Sequence, residues 1–480
     1  MYDKWCKVLT SENVVEYLQR EQVKWINFWI TDINGRVRSF SFPLANLDEK
    51  DFETGMGFDG SSIPSFKRVE DSDMVAKPDF KTMKIIPWTF GEYKSAFFIT
   101  DVYEGYSGVR FKGDPRYVAQ RAEKILDEEG FTAAYMAPEI EFFVFKKTIT
   151  STDASSQSTS QMNTTSMIEE VAVTNFRYGI KFKDGYFQIP PLDETHEFRM
   201  DFANTLMKLG IKIGKTHHEV ATLGQVEIIM IADTLTNMAD KVQIYKFTAR
   251  NIAEHHGLVA TFMPKPIVED NGSGMHVHQS LWKGDVNVFY DPNDEYAELS
   301  QIGRYYIGGI LEHAEALAAV VAPTVNSYKR LVPGFEAPVY VCWGRKNRSA
   351  LVRVPLYLRG EAVKRRKRVE VRFPDPLCNP YLAFAAMALA GLDGIKKKID
   401  PGDPVDEDVY EFSKKKMRDL GIRELPGSLK EALDALESDE VVQNALGKEV
   451  LDQFLEVKRK EWIEYSMQVT PWEYTQYFNF

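Results

Sequence analysis

Five glutamates of this chain stand inside otherwise apolar, strand-like runs. Glu139 and Glu141 lie in "EIEFFVF", Glu219 and Glu227 flank "VATLGQV", and Glu370 sits in "RVEVRF". Residues two apart on a strand share a face, so Glu139 pairs with Glu141, and Glu370 with Arg372, leaving Val369, Val371 and Phe373 opposite. His276 and His278 in "NGSGMHVHQS" (271–280) share a face by the same rule. A bare carboxylate is costly to bury, so such a set asks for counter-charges. Five glutamates with one histidine make a hard, oxygen-rich donor set that suits Mg²⁺ or Mn²⁺ better than zinc or copper. Each signal alone is weak. A Glu pair at this spacing is ordinarily the wet face of an edge strand, and the two histidines could hold a metal, steady a phosphate, or do neither. Their co-occurrence is what argues for a site.

The arginines point the same way. Arg330 lies in "NSYKRLVPGFEAPVY", Arg348 and Arg353 in "NRSALVRVP", and Arg372 beside Glu370. A guanidinium stays charged and offers a planar fork to carboxylate or phosphate. Arginines beside hard-metal ligands suit phosphoryl transfer, where catalysis is mostly positioning and charge neutralisation. A metal-dependent hydrolase would also use the carboxylates but leaves the arginines unexplained. "KRRKR" (364–368) reads as a solvated turn that can edge a nucleotide pocket. No Walker A pattern occurs, which excludes an ordinary P-loop enzyme.

These residues must be positioned by an α/β mixture. A short amphipathic helix is expected over 11–21, capped by Ser11, with Val14, Val15 and Leu18 on one side. Two aromatic, β-branched runs around Asn34-Gly35 predict a hairpin. With "SAFFITDVY" they suggest a small, mostly-β domain over about 15–112, closing near the Gly113-Asp114-Pro115 breaker. A helix over 115–129 and a strand over 139–145 follow. In residues 148–167, twelve of twenty are Ser or Thr, too polar to offset the entropy of ordering, which predicts a mobile surface insertion. Helical stretches near 194–209, 233–256 and 300–320 alternate with strand-like "GQVEIIMI", "GLVATFM" and "GMHVHQSLW", and the tail from about 428 is mainly helical.

The net charge of −11 argues against generic attraction to nucleic acid or anionic membrane. Three distant cysteines form no disulfide framework and suit a reducing compartment. The best apolar run, "YLAFAAMALAGL" (381–392), falls short of the roughly 20 residues of a spanning helix. No signal-like N-terminal core is seen, so a cytoplasmic protein is expected.

Seven segments, in order and spanning nearly the whole chain, then become familiar: "FDGSSI" (58–63), "PEIEFFVF" (138–145), "HHEVATLGQVEI" (217–228), "NGSGMHVHQSLW" (271–282), "RLVPGFEAP" (330–338), "NRSALVRVP" (347–355) and "RVEVRFPDPLCNPY" (368–381). Together they resemble the bacterial and archaeal type I glutamine synthetases. The resemblance implies an α+β fold with an N-terminal β-grasp domain, placed here at 1–113, and a large catalytic domain at 114–480. The antiparallel sheet of the catalytic domain would form an open barrel with the neighbouring subunit, and the homo-oligomer would be a dodecamer of two stacked hexameric rings. The implied reaction is ATP + glutamate + ammonia → glutamine + ADP + phosphate, with two or three divalent ions per active site.

By motif position, the resemblance gives Glu141, Glu219 and Glu227 to one divalent ion, and Glu139, Glu227, His276 and Glu370 to a second. His278 and Ser280, with Arg348 and Arg353, fall at ATP-binding positions. Asn271, Gly272, Arg330, Glu336, Arg348 and Arg372 fall at glutamate-binding ones. Asp59, with Ser62 beside it, would bind ammonium and take its proton, reaching in from the adjacent subunit. Glu336 would close a flap that keeps water from the acyl phosphate. Arg348 completes the catalytic set.

There are departures. Phe335 stands where the family has Tyr, and the 148–167 insertion is longer than its counterpart. Arg68 falls where a Bacillus-like subgroup has an arginine linked to glutamine feedback; a plain surface arginine is the competing reading. Tyr410 sits near the position adenylylated in enterobacterial members, without its sequence context. A nitrogen-regulatory protein is a conceivable partner. The rival readings are a γ-glutamylpolyamine synthetase, disfavoured by the intact "FDGSS", and a catalytically silent structural relative, disfavoured because every expected ligand and Glu336 is in place.

Overall fold

The computed structural model describes residues 9–64, 66–146, 180–222, 224–333, 337–356 and 359–480. The Ser/Thr-rich insertion at 148–167 lies outside them.

The first helix, Ser11–Arg20, buries Val14 and Leu18, as its spacing predicts. Its cap is Thr10 rather than Ser11, because Thr10 holds the extended backbone that a cap needs and exchanges bonds with Asn13. β1 (Trp25–Thr31) and β2 (Val37–Pro43) form the expected hairpin. Gly35 turns it at φ +77°, and a Cβ there would sit 2.8 Å from Asn379 Cα. Four more strands complete the small sheet: β3 (Met56–Asp59), β4 (Asp73–Pro78), β5 (Lys84–Ile85) and β6 (Ser95–Glu104). The order is β2-β1-β6-β4-β3 with β5 on β6, and β1 runs parallel to β6. Phe28, Phe52 and Phe98 pack with Val14 and Leu18 into its core.

The large sheet follows the helix Pro115–Glu128. Its strands are β7 (Ala133–Lys146), β8 (Ile213–His218), β9 (Gln225–Met230), β10 (Asp233–Thr234), β11 (Leu258–Thr261), β12 (Met275–Lys283), β13 (Val286–Asn287), β14 (Tyr340–Arg345), β15 (Ala350–Val354), β16 (Val369–Val371) and β17 (Arg423–Glu424). The main path is β17-β14-β15-β16-β12-β7-β9-β8. β7 begins at Ala133, earlier than expected, because its N-terminal half pairs along β12 from Trp282 to Met275. The sheet is antiparallel except that β14 and β15 run parallel. Between them Lys346 takes φ +59°, and Asn347 is pinned to the carbonyls of Val405 and Glu407 as the chain doubles back.

Helices cover one face, chiefly Leu235–His255 and Pro380–Lys397. The stretch expected as one helix at 300–320 is two, Gln301–Glu312 and Ala314–Val321. His313 interrupts it, held between Asp439 at 2.7 Å and Asp393 at 3.1 Å. The tail is helical, as read, and ends in Pro471–Tyr477. Among the described residues no helix is long and apolar enough to cross a membrane.

The two sheets are fastened together by charge. Arg116, buried, donates to Asp79 (2.7 Å) and Asp101 (2.6 Å) on the small sheet and to Asp240 (2.9 Å) on the large domain's helix. Tyr381 Oη also donates to Asp240, at 2.6 Å. The three carboxylates compensate the buried guanidinium, so losing one partner would leave an expensive charge behind.

Candidate active site

Strands β7, β8, β9, β12 and β15 carry polar residues to one cavity of about 780 Å³. Glu139, Glu141, Glu219, Glu227 and His276 line it. Asn271, Gly272, Arg330, Arg348, Arg353 and Arg372 line it as well. The register explains the convergence: Glu139 pairs with His276 across β7–β12, Glu141 with Glu227 across β7–β9, and Glu370 with both His278 and Arg353.

Two compact donor groups form, each with its atoms within 4.8 Å of one another. The first is Glu139, His276 and Glu370, as the sequence suggested. The second is His217, Glu219 and Glu227, in which His217 stands where Glu141 was expected. His217 Nε2 lies 3.1 Å from Glu227 and its Nδ1 lies 3.4 Å from Glu219. Glu141 is close by, its carboxylate accepting the Gly274 N–H at 2.8 Å. Glu227 belongs to the second group and not to the first.

The electrostatics divide the groups. Glu370 is fully buried and salt-bridged to Arg353 (2.5 Å) and Arg372 (2.7 Å). Burial works against its charge, but Arg372, His278 and Arg353 together hold it below the usual carboxylate range. Burial likewise opposes Glu139, and His278 at 2.9 Å with His276 beyond it outweighs that. Glu141 and Glu227 have too little positive charge to offset theirs. Burial, then repulsion from Glu227, pushes Glu141 up to about 8. Burial, then Glu139, pushes Glu227 up to about 8. Burial and the same neighbours raise Glu219 as well. Burial lowers His217 and His276 to about 4, leaving neutral imidazoles able to ligate. Hard oxygens, neutral imidazoles and uncompensated negative charge are what a divalent cation fits.

The arginines beside these groups are pre-set. Arg330 is buried, its guanidinium donating to the carbonyls of Phe373 (3.0 Å) and Arg372 (3.2 Å). The glycines of "NGSG" make this approach possible: a Cβ at Gly274 would lie 2.5 Å from Arg330 Nη2, and one at Gly272 would lie 2.4 Å from Pro264 O. Asn271 Oδ1 and Arg372 Nε are buried with no hydrogen-bond partner, which marks groups poised for a polar ligand. Arg348 is exposed at the mouth.

Other expected residues lie elsewhere. His278 is outside the lining; its Nε2 faces Glu139 and its Nδ1 accepts from Arg368 at 3.1 Å. Ser280 accepts from Trp282 Nε1 at 3.0 Å. Of "KRRKR", only 364–366 are solvated; Lys367 is buried and donates to Ala297 O, because the turn folds back beneath the sheet edge. Arg68 is exposed. Tyr410 lines the cavity, donating to Ala337 O at 2.7 Å. Phe335 and Glu336 lie outside the described residues. Asp59 and Ser62 are exposed on the small sheet, away from this cavity. Hydrogen bonds from the Ser62 hydroxyl (2.6 Å), then the Ser61 hydroxyl and N–H, hold Asp59 down to about 2.

Sequence reasoning passed over His217, Lys215 and Tyr186, all in the lining. Alternation could have found the first two, since His217 shares a face with Glu219 and Lys215 on β8. Tyr186 lies in an irregular segment that has no period to read.

The small sheet stands beside a large one that gathers carboxylates, histidines and arginines into one cavity, a set suited to divalent cations, carboxylates and phosphates. The family model for "Glutamine synthetase, beta-Grasp domain" matches residues 22–105, and that for "Glutamine synthetase, catalytic domain" matches 112–477. The chain is 48% identical to the glutamine synthetase of Archaeoglobus fulgidus, over 98% of this chain and 97% of that one. It is 47% identical to that of Sulfolobus acidocaldarius, over 98% of each. Among solved structures it resembles Plasmodium falciparum glutamine synthetase (TM-score 0.84, 28% identity, 99% of this chain and 100% of that one). A GmaS complex with ADP is similar too (TM-score 0.82, 28% identity, 97% and 99%). The chain belongs to the glutamine synthetase family.

Proposed function

We propose that this cavity joins ammonia to the γ-carboxylate of L-glutamate by way of γ-glutamyl phosphate. As a member of its family the chain is an ATP-dependent glutamate–ammonia ligase. The observation that carries the residue-level reading is the meeting, in one cavity, of two carboxylate–histidine groups with Arg330, Arg348, Arg353 and Arg372. Glu139, His276 and Glu370 would hold one Mg²⁺ or Mn²⁺, and Glu219 and Glu227, with Glu141 or His217, another. Bound there, such ions neutralise charge on a transferring phosphoryl group.

The protein groups do the rest. Arg372, Arg330, Asn271 and the backbone at Gly272 seat glutamate so that its γ-carboxylate faces the ATP γ-phosphate. Arg348 and Arg353 offset the phosphate charge, with His278 and Ser280 behind them. Asp59 of an adjacent subunit, with Ser62, binds ammonium. Its hydroxyl donors keep it ionised, which favours the cation; to take the proton it must be shielded from water by the neighbouring subunit and the segment that carries Glu336. Ammonia then displaces phosphate from the acyl carbon.

This reading requires active sites shared between subunits, in a dodecamer of two stacked rings working in the cytoplasm. The separate matches at 22–105 and 112–477 support a boundary near 113. The test is phosphate release from ATP with Mg²⁺ and glutamate, adding ammonium in one reaction and putrescine in another. Release with ammonium alone, glutamine appearing in step, is the expected result. Release only with putrescine would overturn the acceptor assignment and leave the metal and nucleotide roles standing.

A further inference from the structure

A second cavity, of about 890 Å³, lies behind the active site where the small sheet meets the large domain. Its walls come from the β1–β2 hairpin, the helix Leu235–His255, residues 324–326 and the helix Lys448–Ser466. Nothing in the ligase chemistry uses it. Three of its cations crowd one side: Arg36 on the hairpin turn, and Lys246 and Arg250 one helical turn apart. None of the three has a carboxylate within ion-pair distance among the described residues. Lys246 is 6% exposed, and its ammonium has only a 3.4 Å bond to Cys378 O. Arg250 stacks over the Phe262 ring at 5.0 Å. The cavity's one acid, Glu461, is taken by Lys458 at 2.9 Å and by the Val325 N–H at 3.2 Å. The rest of the lining mixes polar groups such as Gln243, Asn251 and Asn326 with apolar ones, among them Phe247, which meets the nearly buried Trp29 edge-to-face at 4.7 Å.

Arg36 and Arg250 reach the surface and Lys246 is buried, so the cost of crowding like charges falls chiefly on Lys246. Burial brings Lys246 down to about 8, with Cys378 and Asp375 acting against the shift and Arg250 adding to it. Burial and then Arg36 lower Arg250 in turn. An anion placed among the three would relieve both costs, as an unmatched cation cluster beside an aromatic ring is suited to do.

We propose that this cavity is a second, regulatory site for a small dianion with a flat ring, an aromatic phosphomonoester or its equivalent, whose charged end sits among Arg36, Lys246 and Arg250 and whose ring lies along Phe247. The wall shared with the active site gives the occupant a lever. Asn326 lines this cavity and ties residues 263–265 in place, accepting from the Lys265 N–H at 2.8 Å and donating to its carbonyl at 3.1 Å. The next residues form the short helix Ser327–Arg330, whose Arg330 lines the active site. Pro264 O, in the tied segment, accepts the Ser273 N–H at 2.8 Å beside Gly272 and Asn271. A ligand that fixes Asn326 therefore also fixes two arms of the catalytic pocket.

The test uses phenyl phosphate as probe on the full-length oligomer, with Mg-ADP and L-glutamate saturating the active site, read by calorimetry. The expected result is one probe bound per subunit, weakened at least tenfold by Arg36→Gln and by Arg250→Gln, while Arg348→Ala leaves it unchanged. Melting temperatures of the two cavity variants near that of the parent show that folding is intact. In the same preparation the probe should alter the KM for glutamate in the parent and not in Arg250→Gln. No binding with the active site saturated, or binding indifferent to both cavity substitutions, overturns the proposal; neither outcome touches the ligase reading, which the ammonium assay tests separately.

Discussion

Adding Mg²⁺ or Mn²⁺ to the metal-free protein should release protons. At pH 7 a carboxyl raised to about 8, as Glu141 and Glu227 are, keeps roughly nine-tenths of its proton, and a divalent cation requires the ionised form. Two such groups, with Glu219 shifted in the same direction, give about two protons per subunit at pH 7, falling to about a tenth of that at pH 9. Apparent metal affinity should then rise about a hundredfold per pH unit below 7. The stability of the metal-free protein follows the same groups. Their folded values lie above the ordinary 4.5, which makes stability fall as pH rises toward about 8. His217 and His276, lowered to about 4, act in the opposite sense between about 4 and 6.5, so the net fall comes between about 6.5 and 8. The loss is on the order of several kcal/mol, and bound metal should abolish it. Calorimetric titration in buffers of different ionisation enthalpy counts the protons, and thermal melting against pH, with and without metal, reads the stability. A release below about half a proton at pH 7, or one that does not change with pH, would refute the view that these carboxylates wait uncompensated for a cation.

Three other substitutions probe separate joints of the molecule. Asp59→Asn should raise the KM for ammonium and lower kcat by at least about tenfold, leaving ATP and glutamate binding near the parent values in a titration; equal loss of nucleotide binding would move Asp59 out of the ammonium role. Glu370→Ala strands Arg353 and Arg372 without their carboxylate and should cost about 3–5 kcal/mol, seen as a lowered melting temperature in metal-free protein. Gly35→Ala forces a Cβ to 2.8 Å from Asn379 Cα at φ +77° and should cost at least about 1–2 kcal/mol, whereas an unchanged melting temperature would mean the hairpin can shift away.

What the sequence revealed, and what it hid, follows from the range of each signal. Strand alternation brought out Glu139, Glu141, Glu370 and Arg372 because a period of two is local, and the motifs supplied their roles. The grouping was less legible. Whether His217 or Glu141 completes the second set depends on the β7–β9 and β8–β9 registers, which no local pattern encodes. Burial was misjudged where it depends on partners far along the chain: Lys367 reads as one more charge in a basic run, yet its ammonium reaches the carbonyl of Ala297. The break at His313 likewise depends on Asp393 and Asp439, distant in sequence, against an uninterrupted helical pattern. The cavity between the sheets gave no sign at all, since Arg36 and Arg250 meet only after the hairpin docks.

If Asp59, exposed on the small sheet, serves an adjacent subunit as proposed, catalysis becomes a property of adjacency. Each subunit would then host one reaction and lend a residue to another, so two crippled chains should restore each other. If Asp59→Asn subunits are mixed in equal parts with Arg348→Ala subunits and reassembled at random, each pocket needs an intact host and an intact lender. Roughly one pocket in four meets both conditions, although each parent population is inactive alone. Mixing without reassembly would yield nothing. On that reading a defect in one chain would be masked or spread by its neighbours, and the working unit of the active site would be the junction between two chains rather than the chain itself.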